Sequence, residues 1–289
     1  MFKYEIELLK MLQEMRTPLL NKFFSLMTMF GEELIVVVIL AVIYYVFNKN
    51  YARKLFYVII VSMGINGLIK NIVMMPRPFV FGEINCIKPE TATGYSFPSG
   101  HTQNVSTWST MFIKKSKRVF TKILLVLLML IVGYSRLYLG AHYPSDVVAG
   151  IAFGVIISLA LSKIYNRVEN KQKLFLFTVI AFALFAVIFY IKGNQMFRDY
   201  FKIFGMQIGF WCATTFEEKY IQLSCEGMLV KRILRALIAL LVAYLLKEGL
   251  SSLFDAFKVW NPLFDIIEHF CVVFASLGLC PLIFKKIKL

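Results

Sequence analysis

Residues 133–157 read GYSRLYLGAHYPSDVVAGIAFGVII. An apolar run that begins near residue 119 ends here in Ser135 and Arg136. A short connector then carries His142, and a second apolar run follows Pro144 with Asp146 in its first turn. Each run has about twenty residues, the length an α-helix needs to cross the hydrocarbon of a bilayer. The stretch predicts two antiparallel spans whose shared end holds an arginine, a histidine and an aspartate. Such groups are costly at a membrane unless they serve a site.

Working outward, the same pattern fills the chain. Of 289 residues, 59% are hydrophobic and only 17% charged, where a soluble domain carries roughly a quarter charged. The expected fold is therefore all-α, a polytopic transmembrane helical bundle. About nine spans are predicted, at 34–48, 55–75, 99–113, 119–140, 145–165, 174–192, 199–216, 230–250 and 263–284, with six to eight as the alternatives. Residues 1–16 set Leu8, Met11, Leu12 and Met15 on one helical face, an interfacial pattern that ends near Pro18. Leu19 to Phe30 is apolar but too short to span. The domain reading is an interfacial segment over 1–30, a catalytic membrane core over 31–192 and additional C-terminal transmembrane helices over 193–289.

A net charge of +15 would suit nucleic acid, but the basic residues fall between apolar runs instead of on one polar face, so no nucleic-acid partner is expected. Counted by connector, 48–54, 114–122, 163–173, 217–235 and 285–289 hold 19 Lys and Arg, against nine on the opposite side from Lys70 onward. The richer set should be cytoplasmic, which puts His142 and its neighbours on the outer side of a multi-pass cell-membrane protein, with the amino terminus. The five cysteines, at 86, 212, 225, 271 and 280, form no metal-binding or disulfide pattern and are expected to be buried small apolar residues. Glu5, Glu7 and Glu14 and the lack of a small-residue cleavage site argue against a cleaved leader.

Two further clusters precede the connector. Lys70 and Arg77 lie seven residues apart, two helical turns, so both should point the same way from the end of span 55–75 before Pro76 and Pro78 stop the helix. Two cations aimed at one spot suit a phosphate, Arg as a fork and Lys as a point charge. Pro98-Ser99-Gly100-His101 opens span 99–113. Free N–H groups at a helix N-terminus bind anions, Gly100 allows close backbone approach, Ser99 adds a hydroxyl donor, and His101 falls within reach of an anion held there. If helical geometry starts by His142, Asp146 at i+4 can hold one imidazole N–H and leave the other nitrogen free as base or nucleophile.

The three clusters, KxxxxxxRP, PSGH and SRxxxxxHxxxD, closely resemble the signature of the type 2 phosphatidic acid phosphatase superfamily without a departure, over residues 70–146. The resemblance implies a phosphoric ester or diphosphate hydrolase that works without metal or other cofactor. In it His142 would be the nucleophile that becomes a phosphohistidine, Asp146 its orienting carboxylate and His101 the acid for the leaving group. Lys70, Arg77, Ser99, Gly100 and Arg136 would hold the phosphoryl oxygens. The implied substrate is a membrane lipid phosphate or pyrophosphate, such as phosphatidic acid, phosphatidylglycerophosphate or a polyprenyl pyrophosphate. A soluble sugar phosphate and a lipid phosphotransfer reaction stand as alternatives. The outside amino terminus, the Lys–Arg–Pro cluster after the second span and the span number are similar to the glucose-6-phosphatase branch. Membrane lipids are the other expected partners, and oligomeric state is not legible in the sequence.

Two charged features fall outside the clusters. His269, beside Glu268, is expected to have a packing or interfacial role, and Glu217 and Glu218 to form a solvated turn.

Overall fold

Prolines, asparagines and hydroxyl side chains set the helix boundaries. The computed structural model describes residues 2–289, and among them the chain is helical throughout, with no strand. The helices are α1 (Phe2–Glu14), α2 (Pro18–Met27), α3 (Glu33–Val42), α4 (Lys49–Val73), α5 (Gly100–Lys115), α6 (Val119–Tyr138), α7 (Pro144–Arg167), α8 (Lys171–Lys192), α9 (Arg198–Phe216), α10 (Leu229–Asp255), α11 (Pro262–Phe274) and α12 (Cys280–Lys286). Thr17 caps α2 by accepting from the Leu20 N–H, with Pro18 in the first helical position, and Asn261 and Pro262 repeat that arrangement at α11. Among the described residues five helical segments are long and apolar enough to cross a membrane: Lys49–Phe81, which contains α4, then α6, α7, α8 and the composite Pro262–Lys286. The pair Pro18–Gly31 and Glu33–Phe47, bent by 53°, would add a sixth.

The structure parts into two units. One holds the chain up to Val36 together with Ile65–Ile164, and the other holds Val37–Gly64 with Tyr165–Leu289.

In the first unit the central helix is polar. Thr102, Gln103, Asn104, Ser106, Thr107, Ser109 and Thr110 of α5 are all buried. Burying so many polar groups is tolerable only where they are bonded and closely packed. Thr107 Oγ1 donates to the Gln103 carbonyl at 2.8 Å, and Asn66 Nδ2 donates to Gln103 Oε1 at 2.8 Å. Close packing comes from α7: a Cβ on Gly154 would lie 2.6 Å from both the Gln103 carbonyl and Ser106 Cβ. Gly154 thus lets the two backbones touch, and this contact holds α5 with its N-terminus fixed.

The α1 helix presents two apolar faces. Leu9 and Leu12 are buried with Ile84 and Tyr143, while Tyr4, Leu8, Met11 and Met15 are exposed along the other side. Leu12 thus leaves the face on which the sequence placed it. Arg16 then fastens the segment, donating from Nε and NH2 to the Tyr138 carbonyl at 3.1 and 2.8 Å and from NH1 to the Asn85 carbonyl at 2.8 Å.

The second unit corrects two sequence expectations. Glu217 is not in a solvated turn but is fully buried. It accepts from Lys49 Nζ and the Leu223 N–H, each at 2.8 Å, and pairs with Arg53 NH2. Cations from the start of α4 enclose it, and the i-to-i+4 distance of a sequence window cannot reveal them. Glu218, 41% exposed at its side chain, pairs with Arg53 NH1 at 2.6 Å. Of the cysteines only Cys280 is buried; the other four are half-buried, Cys212 and Cys271 on helix sides that are not fully covered, Cys225 in a connector and Cys86 in a connector of the first unit. His269 is buried, with Nδ1 2.9 Å from the Asp265 carbonyl.

Candidate active site

All eight predicted site residues belong to the first unit, at the ends of α4 to α7. Lys70 lies in the last turn of α4 and its Nζ donates to the Tyr95 carbonyl at 2.5 Å. Arg77 does not share its helix. The helix stops at Val73, Met74 takes a positive φ of 52°, and Arg77 is extended. The two-turn spacing therefore does not align the two cations. Arg77 is instead held by the carbonyls around it: Nε donates to Gly94 O at 2.9 Å, NH2 to Thr93 O at 2.5 Å and NH1 to Ala141 O at 3.0 Å.

Ser99 is the N-cap of α5, its Oγ 3.4 Å from the Thr102 N–H and 2.8 Å from Thr102 Oγ1. The Ser99 N–H donates to the Asp146 carbonyl at 3.0 Å, tying the start of α5 to the start of α7. Gly100 and His101 form the first turn of α5, where the N–H groups lack helical partners.

Arg136, in the last turn of α6, is fully buried. Its NH1 donates to Thr28 Oγ1 at 2.8 Å and to Thr91 Oγ1 at 3.3 Å, and NH2 to Thr91 O at 3.4 Å. The chain then turns through Gly140, φ 75°, where a Cβ would meet the Asn85 carbonyl at 2.8 Å. Only glycine satisfies both the positive φ and the close approach.

His142 lies just before α7, not inside it. Asp146 nevertheless reaches it, because Asp146 is the third helical residue and its side chain folds back over the helix start. Asp146 Oδ2 accepts from Tyr143 N at 2.9 Å and from Ser96 Oγ at 2.5 Å, and stands 3.1 Å from His142 Nδ1. Arg77 NH1 is 3.0 Å from His142 Nε2. A carboxylate only accepts and a guanidinium only donates, so Nδ1 carries the proton and Nε2 presents its lone pair. Burial holds the His142 pKa well below the ordinary histidine range, and the positive charge of Arg77 and Lys70 acts in the same direction. The imidazole is thus neutral.

Two buried donor-capable atoms in this cluster have no hydrogen-bond partner, His101 Nε2 and Arg136 Nε. Buried polar atoms are normally satisfied, so unsatisfied ones at a cluster of cations mark a place where an anion fits. Among the described residues no group of three His, Cys, Asp or Glu is placed to hold a metal ion. Sequence reasoning missed Ser96, Thr28 and Thr91. Each is a single hydroxyl in a loop or turn, and no spacing singles it out.

The chain is similar to known proteins along most of its length. Residues 51–170 match the PAP2 superfamily and residues 201–289 match the PAP2 superfamily phosphatase, transmembrane extension. An undecaprenyl-diphosphatase of Sulfolobus acidocaldarius is 29% identical over 58% of this chain and 82% of its own. A lipid A 1-phosphatase of Rhizobium johnstonii is 31% identical over 39% of this chain, which spans about half of that relative's length, 47%. The glucose-6-phosphatase catalytic subunit 1 of Rattus norvegicus is 30% identical over 65% of each chain. With residues 51–170 and the extension over 201–289 both matched, and its three clusters gathered at one set of helix ends, the chain belongs to the PAP2 superfamily.

Proposed function

We propose that this protein hydrolyses a membrane lipid phosphate or pyrophosphate through a phosphohistidine, without metal. The observation that carries the reading is the His142 imidazole, held between Asp146 at Nδ1 and Arg77 at Nε2, beside the unpartnered Arg136 Nε and His101 Nε2. In the first step His142 Nε2 attacks phosphorus, forming a P–N bond as the P–O bond to the leaving group breaks. His101 gives a proton to the departing oxygen. Water then attacks the phosphohistidine, His101 takes its proton, and inorganic phosphate leaves as His142 is restored. Asp146 stabilises the charge that builds on the imidazole. Lys70, Arg77, Arg136 and the α5 N-terminus at Ser99 and Gly100 offset charge on the three equatorial oxygens. Arg77 turns from Nε2 to the phosphoryl group as substrate binds. With three cations and a helix end facing the anion, the site needs no divalent ion to offset that charge.

A lipid substrate follows from the membrane setting, and the diphosphatase and lipid A phosphatase relatives support it. We place the site on the outer face of a multi-pass cell-membrane protein, from the bias of basic residues toward the opposite connectors. We further propose about nine spans. α9 and α10, at 19 and 27 residues, are long enough to cross at 1.5 Å per residue, and α3 and α5 complete the count with shorter passages. The exposed stripe of Tyr4, Leu8, Met11 and Met15 suits α1 to lie at the interface. In this reading 31–192 supplies the core chemistry and 193–289 is an addition to it.

Hydrolysis of a sugar phosphate is the second reading, favoured by the glucose-6-phosphatase relative. Phosphate release from phosphatidic acid, phosphatidylglycerophosphate, a polyprenyl diphosphate and glucose 6-phosphate, in detergent with EDTA, separates the two. Lipid turnover that persists in chelator is expected. Turnover of the sugar ester alone would replace the first reading by the second, and label appearing on a second lipid would indicate phosphotransfer.

A further inference from the structure

Both unpartnered donor-capable atoms of the site trace back to one short turn, Thr28–Gly31, which lies outside the matched segment 51–170. We infer that this turn is part of the catalytic apparatus, with Thr28 and Gly31 as positioning residues: Thr28 aims Arg136 and Gly31 seats His101. The inference rests on the phosphatase reading above.

Arg136 has five N–H donors. Thr28 Oγ1, fully buried, takes one on NH1 at 2.8 Å, and Thr91 takes weaker bonds on NH1 and NH2. Among the described contacts nothing takes the Nε–H. The edge that Nε forms with NH2 is the one that grips two oxygens of a phosphate side by side. A guanidinium on a flexible stem would lose this aim without a fixed partner on its far side. Thr28 provides the shortest of its bonds, so the hydroxyl decides which edge faces the anion.

Gly31 acts by absence of a side chain. A Cβ there would lie 2.7 Å from both His101 Cβ and the His101 carbonyl. No flexible tip is involved, so His101 itself would have to move. The turn cannot yield instead, because it is fastened to α5 twice: Asn104 Nδ2 donates to the Gly31 carbonyl at 3.0 Å and Trp108 Nε1 to the Phe30 carbonyl at 3.3 Å. The turn is thus registered against the same helix that carries His101, and on its other side against the arginine of α6.

The two residues should fail differently, and that difference is the test. Thr28→Val keeps the shape and removes the acceptor, while Thr28→Ser keeps the acceptor. Gly31→Ala displaces the acid that serves the leaving group. Steady-state kinetics on the full-length protein in detergent are measured with an alkyl phosphate and with p-nitrophenyl phosphate, whose leaving group needs no proton. Inorganic vanadate serves as a phosphoryl mimic, and thermal unfolding reports the fold.

Thr28→Val should lower kcat by about tenfold or more on both substrates and weaken vanadate inhibition, with Thr28→Ser restoring most of both, as expected for a donor that acts mainly on transition-state charge. Gly31→Ala should slow the alkyl ester at least about tenfold more than the aryl ester, the signature of an impaired general acid. If Thr28→Val stays within about twofold of wild type, or Thr28→Ser falls as far as Thr28→Val, the assignment of Thr28 is wrong. Equal loss on both esters in a folded Gly31→Ala protein overturns the role of Gly31. Should Gly31→Ala not fold, the Thr28 pair, which adds no bulk, still decides for the turn. Undiminished activity of His142→Ala would instead overturn the phosphatase mechanism beneath the inference, a result these variants do not mimic.

Discussion

Asp146 Oδ2 lies 3.1 Å from His142 Nδ1 while it also accepts from Ser96 and the Tyr143 N–H. One carboxylate oxygen thus caps a helix and sets a histidine tautomer at once. Asp146→Asn keeps the shape but lets an amide N–H face Nδ1, which favours the tautomer with its lone pair on the wrong nitrogen. The variant should fold normally and lose about 10³-fold in kcat, in line with other histidines that depend on an aspartate. Ser96→Ala should cost about tenfold through the same oxygen. Rates within a few-fold of wild type for Asp146→Asn would show that the pair is structural.

The pH profile follows from His142. Attack requires the neutral ring, and burial with the neighbouring Arg77 charge lowers its pKa below the ordinary value of about 6.5. The nucleophile is therefore fully available at and above that value and is lost only as pH falls through the lower one. The acid limb of kcat/KM, corrected for the phosphate's own titration measured by phosphorus NMR, should lie below pH about 6.5. An acid limb at neutral pH or above would contradict the assignment.

Arg77 donates to three carbonyls and to His142 Nε2. A lysine ammonium cannot span that arc, so Arg77→Lys is not conservative here. It should lower kcat/KM by about 10²-fold and raise the sensitivity of the 93–95 loop to proteolysis. An Arg77→Lys protein with wild-type kcat/KM would remove Arg77 from the site.

Glycine packing gives a stability test. Gly154→Ala places a Cβ 2.6 Å from the Gln103 carbonyl and should destabilise by about 1–3 kcal/mol in thermal unfolding. Gly249→Ala, in α10 with nothing within 4 Å, should be neutral or stabilising by about 0.5–1 kcal/mol. The reverse order would contradict the backbone contact between α5 and α7.

The site was legible in sequence where chemistry is concentrated in short motifs. His142, Asp146, Arg136, the PSGH turn and Arg77 do gather at the ends of α4 to α7, and Asp146 does reach His142 in the connector, although the spacing argument for Arg77 was wrong, since it follows a helix that stops at Val73. Periodicity could not supply Thr28, Thr91 or Ser96, because their contacts span up to 108 residues of sequence and depend on tertiary packing. Glu217 was misread for the same reason: its partners Lys49 and Arg53 lie more than 160 residues away. Apolar runs located α4, α6, α7 and α8 well, since hydropathy is local. The buried polarity of α5 was not legible, because close packing against Gly154 shows only in three dimensions.

The central claim is that His142 Nε2 becomes covalently attached to phosphorus. Acid-labile, base-stable label on the protein after rapid quench with phosphorus-32 lipid phosphate, mapped to the peptide containing residue 142, tests it most directly. Stoichiometric label in wild type, absent from His142→Ala together with phosphate release, is the expected result. Phosphate release that persists in His142→Ala, or label mapped to another residue, would contradict it.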